Sequence, residues 1–309
     1  MLNQALRYFL EVANTGSLSA ASANLHVAIS AISRQIARLE EDVGAPLFER
    51  AARGMTLTEA GRMLLAHARR TALETQSVLT AIGNLAGIPG NLIRVSCSQG
   101  LANDLVPTEV ARFRDRHPDT RFALWVGKSS MATQLVAEGE ADIAVTFSVD
   151  PTPGIQVRHS VQSPVHAVMA ADHPLAARPS VSMDDIQRYP LALTDKGTMT
   201  RNMYDHSRGM VGVYVEAAVT SNYSGTLHAL VRESHSILLA GYVSMAGRLA
   251  RNNLVARPLI DPEMQFRSVQ IQVMAGRQLP VLIESFIERL AHALDALREA
   301  ELTLGMDSP

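Results

Sequence analysis

The chain contains a single cysteine, Cys97, in 309 residues, which excludes an intrachain disulfide and any small fold stapled by one. Lysine is nearly absent: of 28 basic residues only Lys128 and Lys196 are not arginine. Long hydrophobic runs are missing too, and no stretch approaches the roughly 18 uninterrupted apolar residues of a membrane-spanning helix. The first 17 residues carry Arg7 and Glu11 inside their apolar pattern and lack a basic start with a cleavage site. That points away from a secretory signal and toward a cytoplasmic protein. No GxSxG, GxGxxG, P-loop or HExxH pattern occurs, so no enzymatic reaction, cofactor site or metal site is announced. His159, His166 and His173 recur seven apart, but on loop and strand segments, and read as surface or turn residues. The formal net charge of −2 shows no basic excess. What the chain does have is apolar content of 47%, enough to bury the cores of about two domains.

Residues 2–43 read as three short helices. Leu2, Leu6, Phe9, Leu10, Val12 and Ala13 recur at helical spacing, and Thr15-Gly16 closes the first. Ser17 is placed to cap a second, whose apolar face is Leu18, Ala21 and Leu25. Three residues, His26-Val27-Ala28, separate it from a third helix, Ile29 to Val43. That helix sets Ile32, Ile36 and Leu39 on one face and Ser30, Ser33, Arg34 and Arg38 on the other. Two short helices joined by a tight turn, the second carrying polar and basic groups outward, form the helix-turn-helix pattern. Residues 47–58 then read as a small hairpin. From Thr58 a long helix places Leu57, Leu64, Val78 and Leu85, with Gly61, Ala68 and Ile82, on a seven-residue repeat broken by Thr71 and Thr75. Such a seam, with no nearby core, pairs with a second copy.

Ile88-Pro89-Gly90 marks a boundary, and beyond it strands and helices alternate, as in an α/β domain. Strands are expected at 92–97, 121–127, 141–147, from 165 into a turn at 172–174, and at 191–194, 214–217, 236–241 and 268–276. Helices are expected at 101–118, 129–140, near 224–233 and at 279–302.

One dense, ordered set of residues lies between 17 and 61: Ala20-Ala21, Leu25-His26-Val27, Ser33-Arg34-Gln35-Ile36, Leu39-Glu40, Gly44, Leu47-Phe48-Glu49-Arg50 and Leu57-Thr58-Glu59-Ala60-Gly61. It closely resembles the DNA-binding domain of LysR-type transcriptional regulators. The similarity extends more loosely through Asp142-Ile143-Ala144-Val145 and Asp172-His173-Pro174-Leu175. The resemblance implies an α/β protein with an all-α-plus-wing N-terminal domain. Its parts would be a winged helix-turn-helix over 1–58, a linker and dimerisation helix over 59–88, and a two-lobed, periplasmic-binding-protein-like effector domain. Lobe I would take 89–164 with 268–303, lobe II 165–267, and 304–309 would be a tail. The chain would cross between lobes near Pro164 and again near Arg267-Ser268. It further implies a sequence-specific transcriptional regulator, not an enzyme, controlled by a small organic effector such as an aromatic or other carboxylate, with no other cofactor. The implied partners are double-stranded promoter or operator DNA, that effector, further copies in a homodimer or homotetramer, and RNA polymerase, but no membrane. The alternative, a cytoplasmic small-molecule-binding protein of periplasmic-binding fold without a regulatory role, accounts for residues 90–303 alone.

DNA reading then falls to Ile29, Ser30, Ser33 and Arg34 in the first turn and a half of the third helix. Arg38 is placed for phosphate, and Arg50 and Arg53 on the hairpin for flanking backbone or minor groove. Residues 1–70 hold eight arginines against six acids, with Glu40 to Asp42 at the far end of that helix. One position departs from the family, whose members usually carry Ser-Gln where this chain has Ala28-Ile29. Ala28 cannot cap the helix, and Ile29 offers a surface for a thymine methyl in place of a bidentate contact to adenine. For the effector, ligands in open α/β sheets sit beyond the carboxyl ends of strands, where helix N-termini favour anions. That rule selects Ser96, Ser98 and Gln99, then Lys128, Ser129 and Ser130, then Thr146 and Phe147. In lobe II it selects Thr194, Thr198, Asn222, Tyr223 and Tyr242. Phe147, Tyr223 and Tyr242 are candidates to stack on an aromatic ring, and Arg201 is either a counter-charge or a surface cation. Cys97, lacking a second thiol, reads as a buried small apolar residue and not a redox switch.

Overall fold

A computed structural model describes residues 4–51, 54–85, 91–148, 151–211, 216–249 and 251–304. The chain divides into two compact units, residues 1–90 with 276–279, and residues 91–275 with 280–309.

The first unit holds α1 (Gln4–Thr15), α2 (Leu18–Leu25), α3 (Ile29–Val43), the hairpin β1 (Phe48–Ala51) and β2 (Gly54–Leu57), and α4 (Glu59–Leu85). Tyr8, Phe9, Val12, Ala21, Ile32, Ile36, Leu47, Phe48 and Ala68 bury together, so every element contributes to one core. Polar groups fix the joints. Ser17 caps α2 by accepting from Ala20 N at 3.3 Å. The α2–α3 turn closes when Val27 N donates to Ser22 O across His26, whose φ of 54° is left-handed. Glu40, near the end of α3, accepts from the amides of Leu47 and Phe48 at 2.7 and 3.2 Å and so holds β1 against the helix. Met55 N donates to Gly16 O at 2.8 Å, tying the hairpin to the α1–α2 loop. Gly61 allows α4 to cross β1, since a Cβ there would collide with the carbonyl oxygen of Leu47.

The seven-residue repeat on α4 therefore has two uses. Gly61, Leu64 and Ala68 pack into the unit's own core, whereas Val78 and Ile82 stand more than half exposed at 59% and 57%. The side chain of Leu85, the last of that repeat, lies outside the described residues.

The second unit holds two five-stranded sheets. The first takes β3 (Leu92–Ser98), α5 (Gln99–Ala102), α6 (Leu105–Arg116), β4 (Arg121–Gly127), α7 (Ser129–Ala137), β5 (Ile143–Ser148) and β6 (Ile155–Gln162). The second takes β7 (Val165–Ala170), α8 (Met183–Ile186), β8 (Leu191–Thr194), α9 (Met199–Val211), β9 (Val219–Ser221), α10 (Ser224–Arg232), β10 (Ile237–Gly241), α11 (Tyr242–Leu249) and β11 (Leu254–Pro258). β12 (Ser268–Met274) and α12 (Val281–Leu304) complete the unit. Strand order is β4-β3-β5-β12-β6 in one sheet and β11-β7-β10-β8-β9 in the other. Each sheet thus has three parallel strands flanked by an antiparallel pair. β12 pairs with β5 and β6, so the chain returns to the first lobe after building the second. The two crossovers are sewn together where Ser163 N donates to Arg267 O at 2.8 Å and Arg267 Nε donates to Ser163 O at 2.9 Å.

Several sequence expectations need correction. The helix expected over 101–118 is broken at Asn103-Asp104, because Pro107 has no N–H and is tolerated only in a first turn. The strand expected over 214–217 is absent at Glu216 and Ala217, the other two residues lying outside the described ones, and β9 forms instead at Val219–Ser221. β6, α9, α11 and β11 had no expectation at all. His166, read with His159 and His173 as a surface or turn residue, lies in a strand and is 5% exposed; His173 does sit in a turn, but buried at 2%. β7 is flanked by strands on both sides in its sheet and buries His166, while the His173 ring accepts from Leu175 N at 3.1 Å and folds the turn over itself. His159 is half-buried, its Nε2 2.8 Å from Asp295 Oδ1.

Candidate functional site

In the first unit, Ile32 and Ile36 turn α3 toward the core and leave its opposite face in solvent. On that face Ile29 is 45% exposed, Ser30, Arg34 and Arg38 are exposed, and Ser33 is half-buried. Arg34 and Arg38 make no hydrogen bond or ion pair among the described residues, so both guanidinium groups are free to meet a ligand. Ala28 supplies no side-chain cap, and the amides of Ile29 and Ser30 find no partner among the described residues. These groups face outward at the positive end of the helix, where phosphate is favoured. Arg50 belongs to β1, but its side chain, like all of Arg53, lies outside the described residues.

In the second unit a cavity of about 90 Å³ lies between the two sheets' carboxyl ends. Of the sequence candidates, Ser98, Gln99, Lys128, Ser129, Phe147, Thr194, Thr198 and Asn222 line it. Ser98 Oγ sits 3.0 Å from Ser129 Oγ, and the hydroxyls of Thr194 and Thr198 are 2.6 Å apart. Two side chains of the lining bridge the cleft from lobe to lobe. Gln99 donates from Nε2 to Asn222 O at 2.6 Å and accepts from Ser224 N at 3.1 Å. Lys128 Nζ donates to Lys196 O at 3.0 Å.

The remaining candidates are not brought to the cavity. Ser96 is fully buried because β3 runs on to Ser98, leaving Ser96 two residues below the rim with its hydroxyl bonded to Ala132 O at 2.8 Å. Thr146 is buried and supports Ser98 from behind at 2.7 Å. Ser130 is exposed outside the lining. Tyr223 is 54% exposed, and Tyr242 is buried at the start of α11, so neither ring lines the cavity; only Phe147 of the three aromatics does. Arg201 is neither free nor a counter-charge in the cavity, since its Nε bonds Asp205 at 2.8 Å. Asp142, at the head of β5, spends its carboxylate on Arg94 N at 2.9 Å.

Among the lining residues that sequence reasoning missed, Arg267 and His228 bear on the chemistry. Arg267, only 2% exposed, lies with its guanidinium carbon 4.3 Å from the centre of the Phe147 ring and donates from Nη1 to Thr200 Oγ1 at 2.7 Å. Burial pulls its pKa down to about 10. His228 faces Arg248, whose Nη1 donates to Nδ1 at 2.6 Å. Burial, with the Arg248 charge, lowers the His228 pKa to about 4. The ring is therefore neutral with its proton on Nε2. The one available signal for Arg267 was its place at a lobe crossover; for His228 there was none. Cys97 is buried, and burial pushes its thiol up to about 12, which leaves it unreactive. Among the described residues there is no cluster of three or more metal-ligating side chains, and no helix is long and apolar enough to cross a membrane.

A winged helix-turn-helix followed by a two-lobed ligand-binding unit defines a class of DNA-binding regulators with an effector domain. Comparison with known proteins gives the family. The model of bacterial regulatory helix-turn-helix proteins of the lysR family matches residues 3–62, and that of the LysR substrate binding domain matches residues 86–295. The chain belongs to the LysR family of transcriptional regulators. It is 32% identical over 200 residues to the HTH-type transcriptional activator IlvY of Salmonella typhimurium, across 64% of this chain and 68% of that one. A full-length OxyR from Pseudomonas aeruginosa shares the fold at a TM-score of 0.63 and 20% identity, covering 95% of this chain and 94% of that one. CbnR in complex with its target DNA aligns at a TM-score of 0.54 and 19% identity, covering 95% of this chain and all of that one.

Proposed function

We propose that this regulator senses a small organic acid in the cleft of its second unit and converts cleft occupancy into a change in how its paired α3 helices engage operator DNA. The observation that carries this reading is the cleft's construction. Gln99 and Lys128 of one lobe bond backbone groups of the other around a cavity lined by Ser98, Ser129, Thr194 and Thr198. A ligand entering there competes with or completes those contacts, and so has different affinity for open and closed lobes, as a two-state coupling requires. Ile29, Ser30, Ser33 and Arg34 would read base edges, with Arg38, Arg50 and Arg53 on the backbone. The exposed seam at Val78 and Ile82 supports assembly into a dimer or tetramer that spans paired half-sites.

The protein would act in the cytoplasm, without chemistry of its own on the effector. A buried thiol with its pKa at about 12 gives no support to thiolate redox sensing in this chain. The test pairs calorimetry against small carboxylates with footprinting on the chain's own upstream DNA, with and without a bound acid. The expected result is a footprint whose extent changes with ligand and weakens steeply with salt; identical footprints with the site saturated would overturn the coupling.

A further inference from the structure

We infer that Arg267 makes the cavity selective for a compact carboxylate, an inference that rests on reading the cavity as the effector site. Arg267 follows the second lobe crossover at the base of the cleft, with its guanidinium buried among Ser163, Pro164, Phe147 and Thr200. Among the described residues no carboxylate ion-pairs with it. Glu301, whose charge acts on it at longer range, is bonded to Arg298 at 2.7 Å. A cation taken out of water with no opposing charge in contact is unfavourable, and an anion in the adjoining cavity relieves that.

The guanidinium has capacity to spare. Nε and Nη1 hold short bonds to Ser163 O at 2.9 Å and Thr200 Oγ1 at 2.7 Å. Nη2 reaches only Pro164 O at 3.4 Å and Ser163 Oγ at 3.5 Å. Of five N–H groups, two are well used, and the planar fork suits a carboxylate. The rest of the lining agrees: it adds Lys128, His228 and several hydroxyls, with Asp195 as its one acid. Asp195 is exposed and turned to the amide of Lys196 at 2.8 Å. The lining also narrows the ligand. One face of Phe147 is already covered by Arg267, and Tyr223 and Tyr242 lie outside, so there is no stacking box for an aromatic ring. A cavity of about 90 Å³ fits a short acid.

The test titrates propionate, pyruvate, succinate and benzoate, each beside its primary amide, into the full-length chain and its R267M and R267K variants by calorimetry. The wild type is expected to bind at least one short acid about tenfold or more tighter than its amide. R267M should bring acid and amide to within about twofold, and R267K should keep part of the preference. Should R267M not fold, R267K alone decides: an undiminished preference for acid overturns the assignment. Acid preference retained in R267M sinks the role of Arg267 but leaves the cavity as the effector site. Amides binding the wild type as well as acids overturn anion selection, and no binding of any acid or amide overturns the cavity reading itself.

Discussion

On α3 the groups offered to a partner, Ser30, Arg34 and Arg38, stand in solvent, and the two arginines have no partner among the described residues. In the cleft of the second unit, Ser98, Thr198, Lys128, Arg267 and His228 are already bonded. The first arrangement leaves ordering entropy to be lost at binding and exposes its charges to screening by salt. The second has its side chains ordered beforehand and keeps the Arg267 charge buried in a less polar setting, where a wrong ligand leaves groups unpaired. Reading DNA tolerates the looser arrangement because many phosphate contacts add together. Discriminating one small molecule needs the tighter one.

Acid should separate the two units most. His166 and His228 are buried in the second unit with pKa values held at about 4, for His166 by burial and the nearby charges of Arg267 and Arg298. The ordinary value of 6.5 applies when unfolded, so between those limits the unfolded chain binds more protons. Stability is whole above about pH 6.5 and is lost as pH falls toward 4, with a ceiling of about 3 kcal/mol for each histidine. In the first unit the histidines His26 and His67 are exposed, not buried. Amide exchange at pH 7.5 and pH 5 should show protection falling in β7 and α10 while α1 to α3 hold. Equal loss in both units would break the comparison.

Substitutions in the first unit come next. Arg34→Ala should weaken specific operator binding by about 1–3 kcal/mol and relax base preference, with carboxylate titrations unaltered. Arg38→Ala should instead weaken all sequences alike and lower the salt slope by about one. A gel-shift series over salt distinguishes them, and interchangeable behaviour would refute the division of roles. Gly61→Ala forces α4 away from the Leu47 carbonyl and should cost about 2 kcal/mol. The loss should appear as exchange at β1 and α3, with the sheets of the second unit untouched.

The parts of the molecule legible in sequence are those whose cause is local. α3 was found because Ile32, Ile36 and Leu39 recur at helical spacing and Gly44, left-handed at φ 74°, stops the helix. β4 and β8 have the bounds that their apolar runs suggest. β6 escaped notice because it interleaves Arg158 and His159, whose partners Glu284 and Asp295 lie on the distant α12. The same division runs through the cleft. Ser98, Lys128 and Thr194 could be placed because strand ends can be read from sequence. Ser96 could not, since two further residues of strand put it below the rim. Arg267 and His228 owe their positions to Ser163, Thr200 and Arg248, which no spacing in the sequence brings near them.

The smallest expected effect tests whether the looseness of α3 is functional. Its N-terminus lacks a side-chain cap, with Ala28 at φ −59° and ψ 139° and the amides of Ile29 and Ser30 unpartnered among the described residues. Ala28→Ser places a hydroxyl where it can accept from the amide of Ser30 or Ala31 and should stabilise the first unit by about 1 kcal/mol, or about 4–8 °C in the melting of a unit this size. If those amides serve only the helix, DNA affinity should stay the same or rise with the better-formed head. If they are kept open for a backbone phosphate, the serine competes with that phosphate. Stability then rises while affinity for all DNA sequences falls by a few-fold. Melting and gel shift on the same variant separate these outcomes, and only the second makes the missing cap part of DNA binding.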